Sequence, residues 1–517
     1  MKRIIWLVSL CWFCAALAAG CAAMKRGAMT EPPSKYLAVW TGDEDGADPD
    51  FLTIIDADER SPSYGKVVNT VQVPAIPGAH LLAVTGFGKT PADFPSSRLN
   101  EPHHISERLN QDKQLFAGSL ISGNIFRFDL EDPLHIPPPV LVVRYTASSK
   151  FSGTDDIHLL PNGRLLATFM GAGGAAIPPA LTTPGGLVEF SPDGKFLREY
   201  DATLPGGPAH YRTGADTGLL ANPHGIDLRE DLNLIITSDY ADPVSLATST
   251  EKDQHQALRS TVRIWDLAER KVKKVVQVPD GPRKEKNVIH EEPEGLMSVG
   301  LLHGKNHKGA FTASMCGGTL YYSADVTVAN PIFTEVYDFG GCTGAGIFMI
   351  TRDDRYLILP LSGIRAPGDE EGFDPNVNAR RVVAFDLGPL LHPGPLACSG
   401  DHLNAADCPK ITSEVNLDSE ANFMTHGGPH VVALDSDESR LAVVDYFVDL
   451  TQGFGLPGTG SGGDHRVYLI KRREGHLELD QNFKDENDHL PGVNFNRAGW
   501  PHGQTGNAKP HGLIFVQ

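Results

Sequence analysis

Asn222-Pro223-His224-Gly225-Ile226-Asp227-Leu228 is the stretch on which the reading of this chain turns, because its shape returns along the 517 residues with the histidine kept or replaced. Pro102-His103-His104-Ile105, Pro429-His430-Val431-Val432, Pro501-His502-Gly503 and Pro510-His511-Gly512-Leu513 echo it. Pro293-Glu294-Gly295-Leu296 is the same phrase with a carboxylate in place of the imidazole. In most copies a polar turn and a short apolar strand follow, as in Asn233–Thr237 and Arg440–Val444. A unit of roughly 40–60 residues, built of short strands and repeated, is the signature of a β-propeller. The expected fold is therefore all-β; six or seven units can be counted, and seven blades are expected.

In such a fold each copy of the phrase sits where the innermost strand of a blade begins, beside the central channel. Proline holds its own φ and keeps the preceding residue extended, and the glycine after the histidine suits a tight turn into the strand. Any single copy reads equally well as turn residues with a histidine at a strand end. Recurrence changes that, since symmetry brings several imidazoles to one axis, and an imidazole cluster binds metal. The candidate ligands are His103, His104, His158, His430, His502 and His511, with His224 or Glu294 lining the cavity as a catalytic proton acceptor. His158 arrives in a variant phrase, Asp155-Asp156-Ile157-His158, in which the imidazole stands three places along.

Lys2-Arg3, an apolar run from Ile4 to Ala19 and then Gly20-Cys21 read as a secretory leader, too short for a membrane span. Ala18-Ala19-Gly20-Cys21 resembles a bacterial lipobox, which makes residues 1–20 a signal peptide, Cys21 a lipidated first residue and 21–34 a tether ahead of a single domain at 35–517. Simple release into the periplasm is the alternative. Either way the chain is exported, and its cysteines meet an oxidising compartment. Cys398 and Cys408 flank a polar loop and are expected to pair; Cys316 and Cys342 read equally as a pair, as buried thiols or as soft ligands. Insertions are expected near 363–378 and 391–416. The acidic loop Asp43-Glu44-Asp45 reads as solvated, with calcium as the alternative.

The formal net charge of −19 disfavours nucleic acid and anionic membrane as partners, leaving the lipid anchor as the membrane contact. Walker loop, dinucleotide fingerprint, C-x-x-C and Ser-His-Asp phrases are absent from the sequence, which argues against nucleotide, thioredoxin-like and triad chemistry. A small molecule is the expected partner, and a second copy of the chain stays open.

Asp48-Pro49-Asp50-Phe51-Leu52-Thr53-Ile54-Ile55-Asp56 followed by Ser61-Pro62-Ser63-Tyr64 resembles the signature of the selenium-binding protein and methanethiol oxidase family. His103-His104, Trp265-Asp266, Leu302-His303, Gly427-Gly428-Pro429 and Leu477–Phe483 match in order after it. The resemblance implies a seven-bladed propeller and a periplasmic copper enzyme that oxidises methanethiol with oxygen to formaldehyde, hydrogen sulfide and hydrogen peroxide. It also implies copper ligands at His103, His104, His158 and His502. The chain departs from the family at Gly65, where the cysteine tied to selenium binding would stand, and in His224, His430 and His511, which the family pattern lacks. A propeller lyase or lactonase using calcium, zinc or iron, and a non-catalytic ligand-binding lipoprotein, are the competing readings.

Overall fold

In the computed structural model the described residues are 32–517 except 45–47, 75–100, 121, 144–148, 173–183, 205–220, 243–257, 280–294, 316, 341–343, 363–379, 393, 418–427, 447–462 and 488. The repeated phrase does what its periodicity requires. Seven antiparallel sheets stand in a ring, one per unit, and the chain is a seven-bladed β-propeller.

The first blade takes β1 (Tyr36–Asp43), β2 (Phe51–Asp56) and β3 (Val67–Gln72); the second β4 (Pro102–Ile105), β5 (Gln114–Ser119), β6 (Ile125–Asp129) and β7 (Val140–Val143). The third is β8 (Phe151–Leu159), β9 (Leu165–Ala172), β10 (Gly186–Phe190) and β11 (Phe196–Asp201), and the fourth β12 (Pro223–Arg229), β13 (Leu234–Asp239), β14 (Thr261–Asp266) and β15 (Lys271–Gln277). The fifth is β16 (Leu296–Leu301), β17 (Ala310–Ser314), β18 (Thr319–Ser323) and β19 (Thr334–Asp338), and the sixth β20 (Met349–Ile350), β21 (Tyr356–Leu361), β22 (Arg381–Asp386) and β23 (Lys410–Asn416). The seventh is β24 (Pro429–Leu434), β25 (Arg440–Asp445), β26 (Arg466–Arg473) and β27 (His476–Leu479), with β28 (Val493–Asn494) on β26. The last strand, β29 (Ala508–Val516), returns to the first blade and pairs with β1 as its innermost strand.

Middle strands are covered by the neighbouring blades on both faces, so they lose the alternation of a half-exposed strand: every residue of β2, β13 and β14 is buried. Outer strands keep it, as in Lys410–Asn416, where exposed and partly buried residues alternate. Between the fifth and sixth blades Phe311, Tyr322, Leu357 and Phe385 form one apolar layer, and the Cys398–Cys408 disulfide joins it.

β29 and β1 close the ring, and a polar latch holds the closure. Asp435 accepts from the Ser34 amide at 3.1 Å and from the buried Arg440 guanidinium at 2.7 Å, while Arg440 also donates to the Ser34 and Ala57 carbonyls. Gln517 donates to the Pro32 carbonyl at 3.2 Å. Residues 32–34, expected as the end of a tether, are therefore docked on the seventh blade.

One further expectation changes. The stretch 391–416 is not an insertion throughout, because Lys410–Asn416 is the outer strand of the sixth blade and pairs with β22 along its length. The rest of it is a connection pinned by the disulfide. Residues 363–378, Cys21, Glu294, Cys316 and Cys342 lie outside the described residues, as does Asp45 of the acidic loop, whereas Asp43 is buried at the end of β1.

Candidate metal centre

A regular strand points successive side chains to opposite faces, so His103 and His104 could not both face the channel from an unbroken β4. The ladder is broken there: the register between β4 and β5 shifts between Pro102 and Ile105. The same irregularity recurs between Thr154 and Ile157, between Pro223 and Ile226, and between Pro429 and Val431. In β29 it spans His511-Gly512. A bulge turns a side chain out of the pleat, and its repetition around the ring aims one polar side chain after another at the axis. The glycine after the histidine serves packing rather than a turn: a Cβ on Gly512 would stand 2.7 Å from the His103 carbonyl of the neighbouring inner strand.

Six side chains meet there: His103, His104, Asp155, His224, His430 and His511, all buried. Asp155 lies 3.3 Å from His103 Nε2, 3.1 Å from His104 Nδ1 and 3.3 Å from His224 Nε2. His104 and His430 face each other Nε2 to Nε2 at 3.4 Å. The His103 ring stacks on His104 with centroids 4.3 Å apart and touches His511 at 4.2 Å. Ligand atoms of His103, His104 and His511 lie within 4.8 Å of one another, as do those of His103, Asp155 and His224.

Around Asp155, burial works to raise the carboxyl pKa, but His224, His103 and His104 outweigh it and hold the group well below the usual carboxylate range. For His104, burial lowers and Asp155 raises, and the carboxylate prevails. Burial takes His224 down to about 4 and pushes His430 and His511 well below the ordinary imidazole range; His103 also falls, by burial and then by its neighbour His104. The cage thus holds one carboxylate, and burial keeps its imidazoles other than His104 toward the neutral form that carries a lone pair.

Those lone pairs are short of protein partners. Neither oxygen of Asp155, neither ring nitrogen of His103 or His511, nor Nδ1 of His224 makes an aligned hydrogen bond, although all are buried. Buried polar atoms ordinarily find partners, and a group of them converging on one point is what a cation would satisfy. The donor set of imidazoles with one carboxylate suits copper or zinc and is poor in the oxygen ligands that calcium takes.

The structure brings together His103, His104, His430 and His511 of the six candidate ligands and adds His224, expected as a proton acceptor. It leaves out His158 and His502. His158 is partly exposed, with Nε2 3.5 Å from Glu107, because it stands past the bulge on β8. His502 is exposed on a tight turn at φ 66° with Nδ1 2.9 Å from the Thr70 carbonyl. Asp155 is not among the candidates read from the sequence, because the repeated phrase is recognised there by its imidazole. Its signal was present: an apolar residue stands two places after His103, His224, His430 and His511, and Ile157 stands two places after Asp155. Two tyrosines escaped notice as well. Tyr240 packs edge-on against His224 at 5.1 Å and Tyr446 against His511 at 5.9 Å, each following the aspartate that ends a second strand.

No protein-family model matches the chain. A methanethiol oxidase from Hyphomicrobium sp is 28% identical over 262 residues, 48% of this chain and 49% of that protein. This supports the resemblance to the selenium-binding protein and methanethiol oxidase family that the sequence motifs carry. The match spans about half the length of that curated relative. A hypothetical selenium-binding protein from Sulfolobus tokodaii superposes over 94% of both chains with a TM-score of 0.62 at 14% identity. A protein from Lactobacillus plantarum superposes over 94% of this chain and all of its own, with a TM-score of 0.50 at 11% identity. At such identities the superpositions speak for the fold. Within the family signature, Gly65 has φ +80° and a Cβ there would lie 2.5 Å from the Lys484 carbonyl oxygen, so this backbone has no place for a thiol-bearing side chain.

Proposed function

We propose that the protein is an exported, copper-dependent oxidase of a small thiol. One observation carries the reading: a carboxylate and five imidazoles, with unsatisfied donor atoms among them, converge in a propeller whose relative is a methanethiol oxidase. In this reading His103, His104, Asp155, His224, His430 and His511 are the residues available to hold the ion. Copper, when bound, supplies an acceptor that takes electrons from a thiolate and passes them to oxygen. Asp155 supplies the negative charge that a buried cation needs, and its contacts to three imidazoles orient them. Burial excludes bulk water, and the bulges fix the donors before any ion arrives. His224 belongs to the ligand set here, because its Nε2 faces Asp155.

The test is elemental analysis of the exported protein purified without added metal, followed by oxygen uptake with methanethiol. Copper near one equivalent per chain, with peroxide and sulfide released, supports the reading. Zinc or calcium without thiol oxidation overturns it in favour of a lyase or lactonase; absence of metal leaves a ligand-binding protein. Export and lipidation at Cys21 are part of the proposal, and mass spectrometry of the mature N-terminus checks them.

A further inference from the structure

The surroundings of the cage differ from one side to the other. On the side of the seventh, first and second blades its neighbours are polar: Tyr446 donates to Glu101 at 2.9 Å, Lys509 lies 3.6 Å from Glu101, and His465 packs on Tyr446. On the side of the third to fifth blades a single apolar cluster is centred on Met170, Tyr240, Met297 and Met315. These four are all tied to the immediate surroundings of His224. Tyr240 packs on the His224 ring and donates to Met315 Sδ at 2.7 Å. Asn222 donates to the Met170 carbonyl at 2.6 Å, and Ser238 bridges the Gly225 amide and the Met297 carbonyl at 3.2 and 3.1 Å.

Methionine is commonly an adaptable filler of cores, and its presence in one blade would call for nothing more. Here three of the four methionines among the described residues come from three different strands or strand ends to one sector beside one ligand. A polarisable, unbranched side chain shapes itself to a small apolar guest. We propose that Met170, Tyr240, Met297 and Met315 form the wall against which the alkyl group of the substrate lies, and that Met297 sets the chain length accepted. The inference rests on the thiol-oxidase reading and names its specificity-determining side chains.

The test compares methanethiol, ethanethiol and 1-propanethiol on the full mature protein and on Met297→Ala, with Met297→Leu as the volume-conserving control. Oxygen uptake by copper-loaded protein is one readout, and thermal shift of metal-free protein by the same thiols is the other. Met297→Ala is expected to raise kcat/KM for 1-propanethiol relative to methanethiol by about tenfold or more, the range for making room for a methylene. It should also move the largest thermal shift to a longer thiol, while Met297→Leu keeps the wild-type order. If Met297→Ala does not fold, Met170→Val and Tyr240→Phe carry the same comparison. An unchanged chain-length order in every folded variant overturns the inference while wild-type oxidation leaves the oxidase reading standing. A shifted order in the metal-free readout, with no oxidation by loaded wild type, leaves the wall standing and removes the oxidase.

Discussion

The two ends of the channel are built on different terms. Inner strands begin at one end, where the cage stands, and several of the connections that leave and return there are long, among them 73–101, 202–222, 240–260, 278–295, 362–380 and 446–465. At the other end the strands are joined mostly by short turns, such as 230–233, 267–270, 435–439 and 474–475. One long connection on that end, 387–409, is the one that carries the disulfide. The turn end carries the latch and the disulfide, whereas the cage end combines buried ion pairs such as Arg380–Asp445 and Arg263–Asp239 with the converging donor atoms of the cage. The latch and the disulfide stand at the rim opposite the cage, so changes there should leave the metal readout largely untouched.

The sharpest break in that comparison is Asp155→Asn. Metal affinity should fall by more than the roughly 10–100-fold typical of changes outside the ligand shell, with the protein still folded, as read by competition against a copper chelator. His158→Ala and His502→Ala, by contrast, should retain metal; loss of metal in either would restore them to the ligand set. At the turn end Arg440→Ala leaves Asp435 buried and uncompensated, and unfolding in urea should show a loss of about 3–5 kcal/mol with metal content unchanged.

Cys398→Ser should cost somewhat less, about 2–3 kcal/mol for so short a loop, without altering oxygen uptake. The smallest effect concerns pH. His303 hydrogen-bonds Asp227 at 3.1 Å, which raises its pKa in the folded state. A raised pKa means that the contribution is complete below the unfolded value near 6.5 and fades as pH rises through the folded one. His303 is half exposed, so the contribution is at most about 1 kcal/mol, and His303→Gln should flatten that part of the stability profile.

The propeller was legible because the P-H-G phrase and its following strand repeat at the spacing of a blade, and the Cys398–Cys408 pair because the loop between them is short and polar. Legibility failed where one blade used a different residue type for the same place. Asp155 stands at the position of His224 in the repeat, but an eye set on imidazole moves on to His158. Bulges were the second obstacle: that His103 and His104 both face the axis follows from a break in hydrogen-bond register, which residue types alone do not announce. The segment resembling the family signature, around Asp56 and Ser61–Tyr64, runs along the turn end, where Tyr64 donates to Asp480 at 2.7 Å.

Ring closure by β29 has a consequence for the order of events in the cell. His511 reaches the cage on the strand that is synthesised after every other blade, and that strand has no place until β1, made at the outset, accepts it. An emerging chain therefore carries the other donors on separate, unclosed blades for most of translation, without the geometry to capture an ion tightly. A metal held by this cage would be taken up after β29 closes on β1, so its occupancy would report on the closed ring rather than seed its folding.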